Sequence, residues 1–300
     1  MQTGRYAPSP TGRLHLGNLR TALVAWAIAR QAGGRFVMRF ENLDDRSRSH
    51  FLSEQLSDLQ ELGIDWDGEP LVQSDCLSRY EDAFEQLKAA GRVYECYCSR
   101  RELSQVASAP HRPPGAYSGR CRLLSEPERE QKRNYLWEKY RRGPAYRLKA
   151  NLDNATFPDR VYGLQNGSID DFVLRRSDGV FSYNLVCVVD DAYQGVTQVC
   201  RGRDLIPSTA RQNYLHQLLD SSIPHYYHVP LVLNREGQRL AKRDGAVTLP
   251  QLKAKGIGKA DIIELLASSL GFFRVRSAPE FLQAFDLEKM NREDWRYLGL

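Results

Sequence analysis

Apolar residues recur at helical spacing over residues 16–32, where Leu19, Leu23, Trp26 and Ala27 share one face and Gly33-Gly34 stops the run. Two compact apolar stretches, residues 4–7 and 35–40 (RFVMRF), predict strands on either side of that helix. The same spacing predicts helices over 51–62 and 79–90, the second ended by Gly91. Strands separated by helices of this length predict a doubly wound, Rossmann-like α/β domain. Near Val93 the pattern breaks: residues 99–165 are punctuated by Pro and Gly, which predicts an inserted subdomain. Strands are then expected at 171–174, 180–189, 198–201 and 228–233, with a helix over 208–219 that Ser208 caps. From residue 249 onward the spacing is mostly helical. The expected organisation is 1–92 for the first half of the α/β domain, 93–165 for the insertion, 166–245 for the second half and 246–300 for a helical C-terminal subdomain.

Composition narrows the function classes. With 42% hydrophobic and 26% charged residues, the chain of 300 residues is neither disordered nor collagen-like nor a coiled coil. It has no apolar run near the roughly 20 residues that span a bilayer. Its first ten residues lack the apolar core of a secretory signal. A cytoplasmic protein with no membrane attachment is expected, and its six cysteines are then read as reduced thiols or metal ligands rather than disulfides. The net charge of +5 is unevenly spread. Residues 92–149 carry 14 Lys or Arg against six Glu and no Asp, a local basic excess that suits a polyanion or a solvated face.

Three constellations carry candidate chemistry. In RYAPSPTGRLHLGN a strand runs through a Pro/Gly turn into a helix opened by His15, Leu16, Gly17 and Asn18. Helix N-termini favour phosphate, and Gly17 lets a nucleotide approach the backbone. More than 220 residues later, a strand and turn precede the basic loop Arg239-Leu-Ala-Lys242-Arg243, suited to neutralising a migrating phosphate charge. Cys96, Cys98 and Cys121 fall within the Gly/Pro-rich insertion, where three thiolates make a plausible Zn²⁺ site. His111 is the better fourth ligand on general chemistry. Cys76, Cys187 and Cys200 stand alone in apolar text and read as core residues. The pairs Asp44-Asp45, Asp170-Asp171 and Asp190-Asp191 read as turns or helix starts, with Asp44 nearest the expected site.

Together these segments resemble the class I aminoacyl-tRNA synthetases, and within them the glutamyl branch. RYAPSPTGRLHLGNLRTAL is similar to that branch's opening segment, with HLGN in place of the HIGH-type motif. RFENLDD, FSYNLVCVVDD, GVTQVCRGRDL and HVPLVLN also correspond, and RLAKR resembles the KMSKS-type loop. The likeness covers residues 3–245. Asn42 stands where the family has Asp, and Ala241 replaces the loop's small hydroxyl residue while leaving Lys242 in place. Only about 55 residues follow the loop, which resembles the short paralogues that lack an anticodon-reading domain and glutamylate the queuosine base of tRNA(Asp). A catalytic fragment of a glutamyl-tRNA synthetase and an inactive tRNA-binding paralogue are the alternatives.

The resemblance implies site residues and partners. Arg5 and Arg201 would bind the carboxylates of L-glutamate, Glu41 its ammonium, and Tyr183 would offer a hydroxyl, with Tyr6, Ala7, Pro8 and Ser9 forming a contact strip. His15, Gly17, Asn18 and Lys242 would bind ATP, which enters with Mg²⁺, and His15 and Lys242 would act in catalysis. The short paralogues' Tyr-x-x-x-Cys pattern fits Tyr117 to Cys121 and makes Tyr117 the fourth zinc ligand, with His111 as its rival. The implied partners are glutamate, ATP and tRNA(Asp), and the expected state is a monomer. No residue stands out in the sequence as a base for the transfer to RNA.

Overall fold

The computed structural model describes residues 1–99, 102, 117, 119–240 and 247–299. In chain order these form β1 (Thr3–Tyr6), α1 (Leu16–Gln31), β2 (Arg35–Phe40), α2 (His50–Leu62), β3 (Leu71–Val72), α3 (Leu77–Ala89), β4 (Val93–Cys96), α4 (Glu126–Tyr140), β5 (Ala145–Leu148), β6 (Asn154–Asp159), β7 (Gly163–Ser168) and β8 (Val173–Arg175). They continue as α5 (Tyr183–Tyr193), β9 (Gln198–Gly202), α6 (Ile206–Leu218), β10 (His225–Val229), β11 (Val232–Leu233), α7 (Leu249–Ala254), α8 (Lys259–Ser268), α9 (Ala278–Ala284) and β12 (Trp295–Arg296). No described helix is long and apolar enough to cross a membrane.

Seven strands make one sheet in the order β3-β2-β1-β9-β10-β6-β7, parallel except for the edge strand β7. The alternation along β2 explains its two-sided burial. Phe36 and Met38 join a core with α1, α2, α8 and α9, while Val37 packs with Val199 and Tyr226. A separate core holds α3, α5 and α6. Helices in two cores around a parallel sheet give the α/β architecture expected from the alternating pattern. From β1 the chain proceeds outward to β2 and β3, and later from β9 outward to β10. That reversal between β1 and β9 is the point where open α/β sheets form a ligand crevice, at the carboxyl ends of the strands.

The structure departs from the sequence reading in four places. Residues 180–189 are not a strand: Tyr183–Tyr193 is a helix with Leu185, Val186, Cys187, Val188 and Val189 all buried. Its middle, residues 185–191, is buried throughout and shows no polar stripe, so its β-branched run mimics a core strand. Ser208 is not the cap of α6, which begins at Ile206 with Pro207 in its first turn and Leu205 before it. The stretch 228–233 is split at Pro230, which has no N–H to continue a ladder, so β10 ends at Val229 and β11 begins at Val232. The boundary expected at 165 also cuts across the pairing. β6 and β7 hydrogen-bond into the large sheet, whereas β8 joins β4 and β5 in a separate antiparallel sheet.

Candidate active site and cysteine cluster

The carboxyl ends of β1, β2 and β9 open onto a cleft of about 860 Å³. Arg5, Tyr6, Ala7, Pro8, Ser9, His15, Gly17, Asn18, Glu41, Asp44, Tyr183 and Arg201 all line it, drawn from residues up to 196 positions apart in the chain. A backbone hydrogen bond from Glu41 N–H to the Pro8 carbonyl (3.0 Å) ties the end of β2 to the strip after β1. Lys242, Arg243 and Ala241 lie outside the described residues. Of the residues flanking that segment, Leu240 lines the cleft, and the Val247 carbonyl accepts from Leu16 N–H (3.1 Å), one residue after His15.

His15 is the N-cap of α1. Its Nδ1 accepts from Gly17 N–H (3.0 Å) and Asn18 N–H (3.4 Å), and Asn18 Oδ1 accepts from His15 N–H (3.3 Å). With Nδ1 an acceptor, the proton of the neutral imidazole resides on Nε2, so the ring can donate to an anion. This corrects the expected use of the helix start: the N–H groups of Gly17 and Asn18 are taken by the histidine. The missing side chain of Gly17 makes room for that ring, since a Cβ there would sit 2.9 Å from His15 Cε1. The helix therefore offers its positive end and an oriented imidazole rather than a row of open amides.

The cleft floor is a network of buried charge. Arg39, fully buried, donates to Asp191 Oδ1 (2.7 Å) and Glu41 Oε1 (3.2 Å) and lies 3.7 Å from Asp190. Arg5 donates to the Cys200 carbonyl (3.0 Å) and sits 3.6 Å from Asp191, its buried Nε making no hydrogen bond among the described residues. Burial opposes the charge on Arg39, but Asp191 and its neighbours outweigh that and hold it protonated. Burial pushes the Glu41 carboxyl up, against the pull of Arg39 and Arg5. The pair Asp190-Asp191 is thus no turn or helix start: both acids lie in α5, with Asp190 held by Gln73 (2.8 Å) and Tyr80 (3.0 Å). Asp44 is at the cleft wall, pulled down to about 2 by hydrogen bonds from Arg46.

Arg201 differs from those two arginines. It is buried, with 4% exposure, and among the described residues no carboxylate forms an ion pair with it. Asp204, three residues on, pairs with Arg239 (2.6 Å). Neutral groups hold the guanidinium: Gln212 Oε1 at 2.7 Å, Thr209 Oγ1 at 2.9 Å and His228 Nε2 at 3.1 Å, with the Tyr183 hydroxyl at 3.4 Å. His228 Nδ1 donates to Asp159 Oδ2 (2.7 Å), which fixes Nε2 as the acceptor for Arg201. Burial pushes the His228 imidazole down, with Asp159 opposing. A buried cation held by neutral partners at the edge of a cleft calls for an anion from outside. Gln212, Thr209, His228 and Asp159 were not singled out in the sequence; HVPLVLN contained the histidine, but nothing local marked its partner.

Asn42 exchanges hydrogen bonds with Ser74 (2.9 and 3.0 Å) and is not part of the cleft lining. Cys76, Cys187 and Cys200 are buried, and burial pushes the last two thiols up to about 12, which keeps them inert.

Cys96, Cys98 and Cys121 gather elsewhere, their sulfurs all within 4.8 Å of one another. Cys98 Sγ lies 3.5 Å from Cys121 Sγ, and the Tyr117 hydroxyl lies 3.6 Å from both Cys96 Sγ and Cys98 Sγ. Four donors about 2.3 Å from a tetrahedral zinc would be separated by roughly 3.8 Å, so this donor set suits such an ion. Gly119, at φ +76°, makes the turn that returns Cys121 to Tyr117, whose hydroxyl accepts the Cys121 N–H (3.1 Å). Arg120 places its Nε 3.2 Å from Cys98 Sγ. His111, the rival ligand, lies outside the described residues.

Residues 2–296 match the family described as tRNA synthetases class I (E and Q), catalytic domain. A glutamyl-Q tRNA(Asp) synthetase of Nocardia farcinica is 52% identical over 97% of this chain and 92% of its own length. One from Symbiobacterium thermophilum is 43% identical over 99% and 96%. A glutamate–tRNA ligase of Nitrosospira multiformis is 39% identical over 98% of this chain but 63% of its own length. Among solved structures, a glutamate tRNA ligase from Elizabethkingia meningosepticum, in complex with its amino acid, superposes with a TM-score of 0.80 at 26% identity, covering 99% of this chain and 67% of that one.

Proposed function

The chain belongs to the class I tRNA synthetases for Glu and Gln, and from that premise we propose that it is an ATP-dependent ligase that activates L-glutamate and transfers the glutamyl group to the queuosine base of tRNA(Asp). The observation that carries the glutamate assignment is Arg201, a buried guanidinium without a carboxylate partner among the described residues. It pairs with the side-chain carboxylate of glutamate. Glu41 takes the ammonium, a cation that counters the burial pushing its carboxyl up. Arg5, which lines the cleft, and the strip from Tyr6 to Ser9 hold the α-carboxylate, and the Tyr183 hydroxyl closes the pocket.

Activation follows from two anions held in line. The α-carboxylate oxygen bonds to the α-phosphorus of ATP, and the bond to the pyrophosphate oxygen breaks, leaving glutamyl-adenylate and pyrophosphate. His15 donates from Nε2 to the phosphates at the head of α1. Lys242 follows the leaving pyrophosphate; the anchoring of Leu240 and Val247 beside α1 supports that reach. ATP enters as its Mg²⁺ complex, which supplies charge neutralisation. In the second step a queuosine hydroxyl attacks the glutamyl carbonyl, its proton is released and AMP leaves.

The buried charges that shape the glutamate pocket come from the large sheet and its helices, so activation proceeds without tRNA. Cys96, Cys98, Cys121 and Tyr117 would hold a structural Zn²⁺, tying the end of β4 to the turn at Cys121. The protein acts as a cytoplasmic enzyme. Purified protein incubated with ATP, glutamate and labelled pyrophosphate tests the first step. Labelling of tRNA(Asp) with and without queuosine tests the second. Exchange without tRNA, followed by queuosine-dependent, base-labile charging of tRNA(Asp) but not tRNA(Glu), is expected. Charging of tRNA(Glu) would make the protein a glutamyl-tRNA synthetase instead.

A further inference from the structure

The basic stretch 92–149 takes no part in the cleft, since none of its described residues lines it. Much of it belongs to α4. Ser125 and Glu128 cap this helix reciprocally, and it meets the rest of the protein along one stripe, where Arg129 and Arg133 are half-buried and Leu136 is buried. Leu136 packs in the core that contains Cys96, Tyr117 and Cys121. The last turn is different. Tyr135, Trp137 and Tyr140 are 52%, 58% and 52% exposed, three large rings within six residues. Such a group on a surface marks an interaction site rather than a solvated helix end.

Cations interleave with these rings. Lys139 Nζ lies 5.2 Å from the Tyr135 ring and 5.4 Å from the Tyr140 ring, which meet edge to face at 6.2 Å. Arg142 lies 5.5 Å from the Tyr140 ring and Arg141 5.9 Å from that of Trp137. At about 100° per residue, Trp137 projects on the far flank of the helix from Tyr135. The helix therefore ends in an aromatic tip with rings on two sides and positive charge between them. A partner that fits presents flat π-surfaces to the rings and negative charge to the cations, which describes unpaired nucleobases on a phosphate backbone. A paired duplex hides its base faces, and a bilayer offers no flat rings.

We propose that Tyr135, Trp137 and Tyr140 form a stacking tip for unpaired bases of the RNA substrate, with Lys139, Arg141 and Arg142 meeting the flanking phosphates. The inference rests on the reading that an RNA accepts the glutamyl group.

The probe is an unmodified RNA hairpin with a seven-nucleotide loop, compared with a blunt duplex of the same stem, bound to the full-length protein at fixed salt. Trp137→Ala and the double variant Tyr135→Ala/Tyr140→Ala are each expected to weaken hairpin binding by about tenfold or more. Duplex binding, Tm and glutamate-dependent pyrophosphate exchange should stay at wild-type values. Lys139→Ala should make hairpin affinity less steeply dependent on salt. Variants that bind the hairpin as wild type does, or a wild type that prefers the duplex, would overturn the proposal. So would a concentration-dependent dimer in sedimentation that Trp137→Ala abolishes, because the rings would then face a second copy. The functional reading fails separately, if no glutamate-dependent exchange occurs; hairpin binding still decides the tip in that case.

Discussion

The cleft and the cysteine cluster are organised by opposite means. Around the cleft, Arg5, Arg39, Glu41, Asp190 and Asp191 neutralise one another inside a large sheet flanked by two apolar cores. Arg201, by contrast, has no carboxylate partner among the described residues. The small sheet sends Leu148 and Leu174 into the core of α3, α5 and α6, whereas on its cysteine side the buried apolar companions of Cys96 and Cys121 among the described residues are Tyr94, Tyr97, Tyr117 and Leu136. So little apolar surface supplies little folding free energy. The first region is shaped by its own charges; the second gathers donors that suit a cation. With no described residue of the cluster in the cleft lining, loss of the cluster is expected to leave activation intact.

The largest effect should come from metal removal. Structural zinc supplies roughly 10 kcal/mol or more to small modules, so chelation, or Cys121→Ser, is expected to abolish glutamyl transfer to RNA. Pyrophosphate exchange should survive, because nothing in the cleft leans on the cluster. Parallel loss of both activities would erase the distinction between the regions. Next, Lys242→Ala should slow exchange by about 10²–10³, the usual consequence of removing a donor from developing charge. Wild-type exchange by that variant would remove the residue from the mechanism.

Smaller effects sharpen the account of Arg201. His228→Ala deletes one hydrogen bond to a charged group, so the KM for glutamate should rise about tenfold with kcat and the KM for ATP little changed. His228→Gln, which keeps an acceptor, should recover most of that loss. Acidification should do the same as the alanine change. Asp159, Arg201, Thr209, Tyr226 and Arg5 surround His228, and burial holds its imidazole below the ordinary value of about 6.5. The unfolded chain therefore takes up this proton at higher pH than the folded one. The contribution to stability is full above about 6.5 and declines as pH falls through the folded-state value. Glutamate KM should climb over the same descent, and His228→Gln should flatten the climb. A pH-independent KM in the wild type would contradict the role. Smallest of all, Gly17→Ala should displace the His15 ring by a few tenths of an ångström, raising the KM for ATP with a Tm change of a few degrees at most.

Much of the first region could be read from the chain because its signals are local. The strand, turn and His15 cap lie within fifteen residues, and β2 announces itself in RFVMRF. Helix α5 was misread as a strand because burial throughout residues 185–191 erased its polar face. The partners of Arg201 were illegible for another reason. Thr209 and Gln212 come from α6 and His228 from β10, so only the fold brings neutral groups around that cation. Asp190 and Asp191 read as an ordinary acidic pair because Arg39 of β2 and Arg5 of β1 reach them only through the fold. The cysteines were legible through chemistry, and the insertion's limits were not, because strand pairing and not composition decides which sheet a segment joins.

The most direct test of a pocket completed by a substrate carboxylate is pyrophosphate exchange by the wild-type protein in the absence of any RNA. Robust exchange with L-glutamate and almost none with L-glutamine, lost when Arg201 is replaced by leucine, is the predicted result. Equal exchange with both amino acids, or glutamate exchange that survives the loss of Arg201, would contradict it.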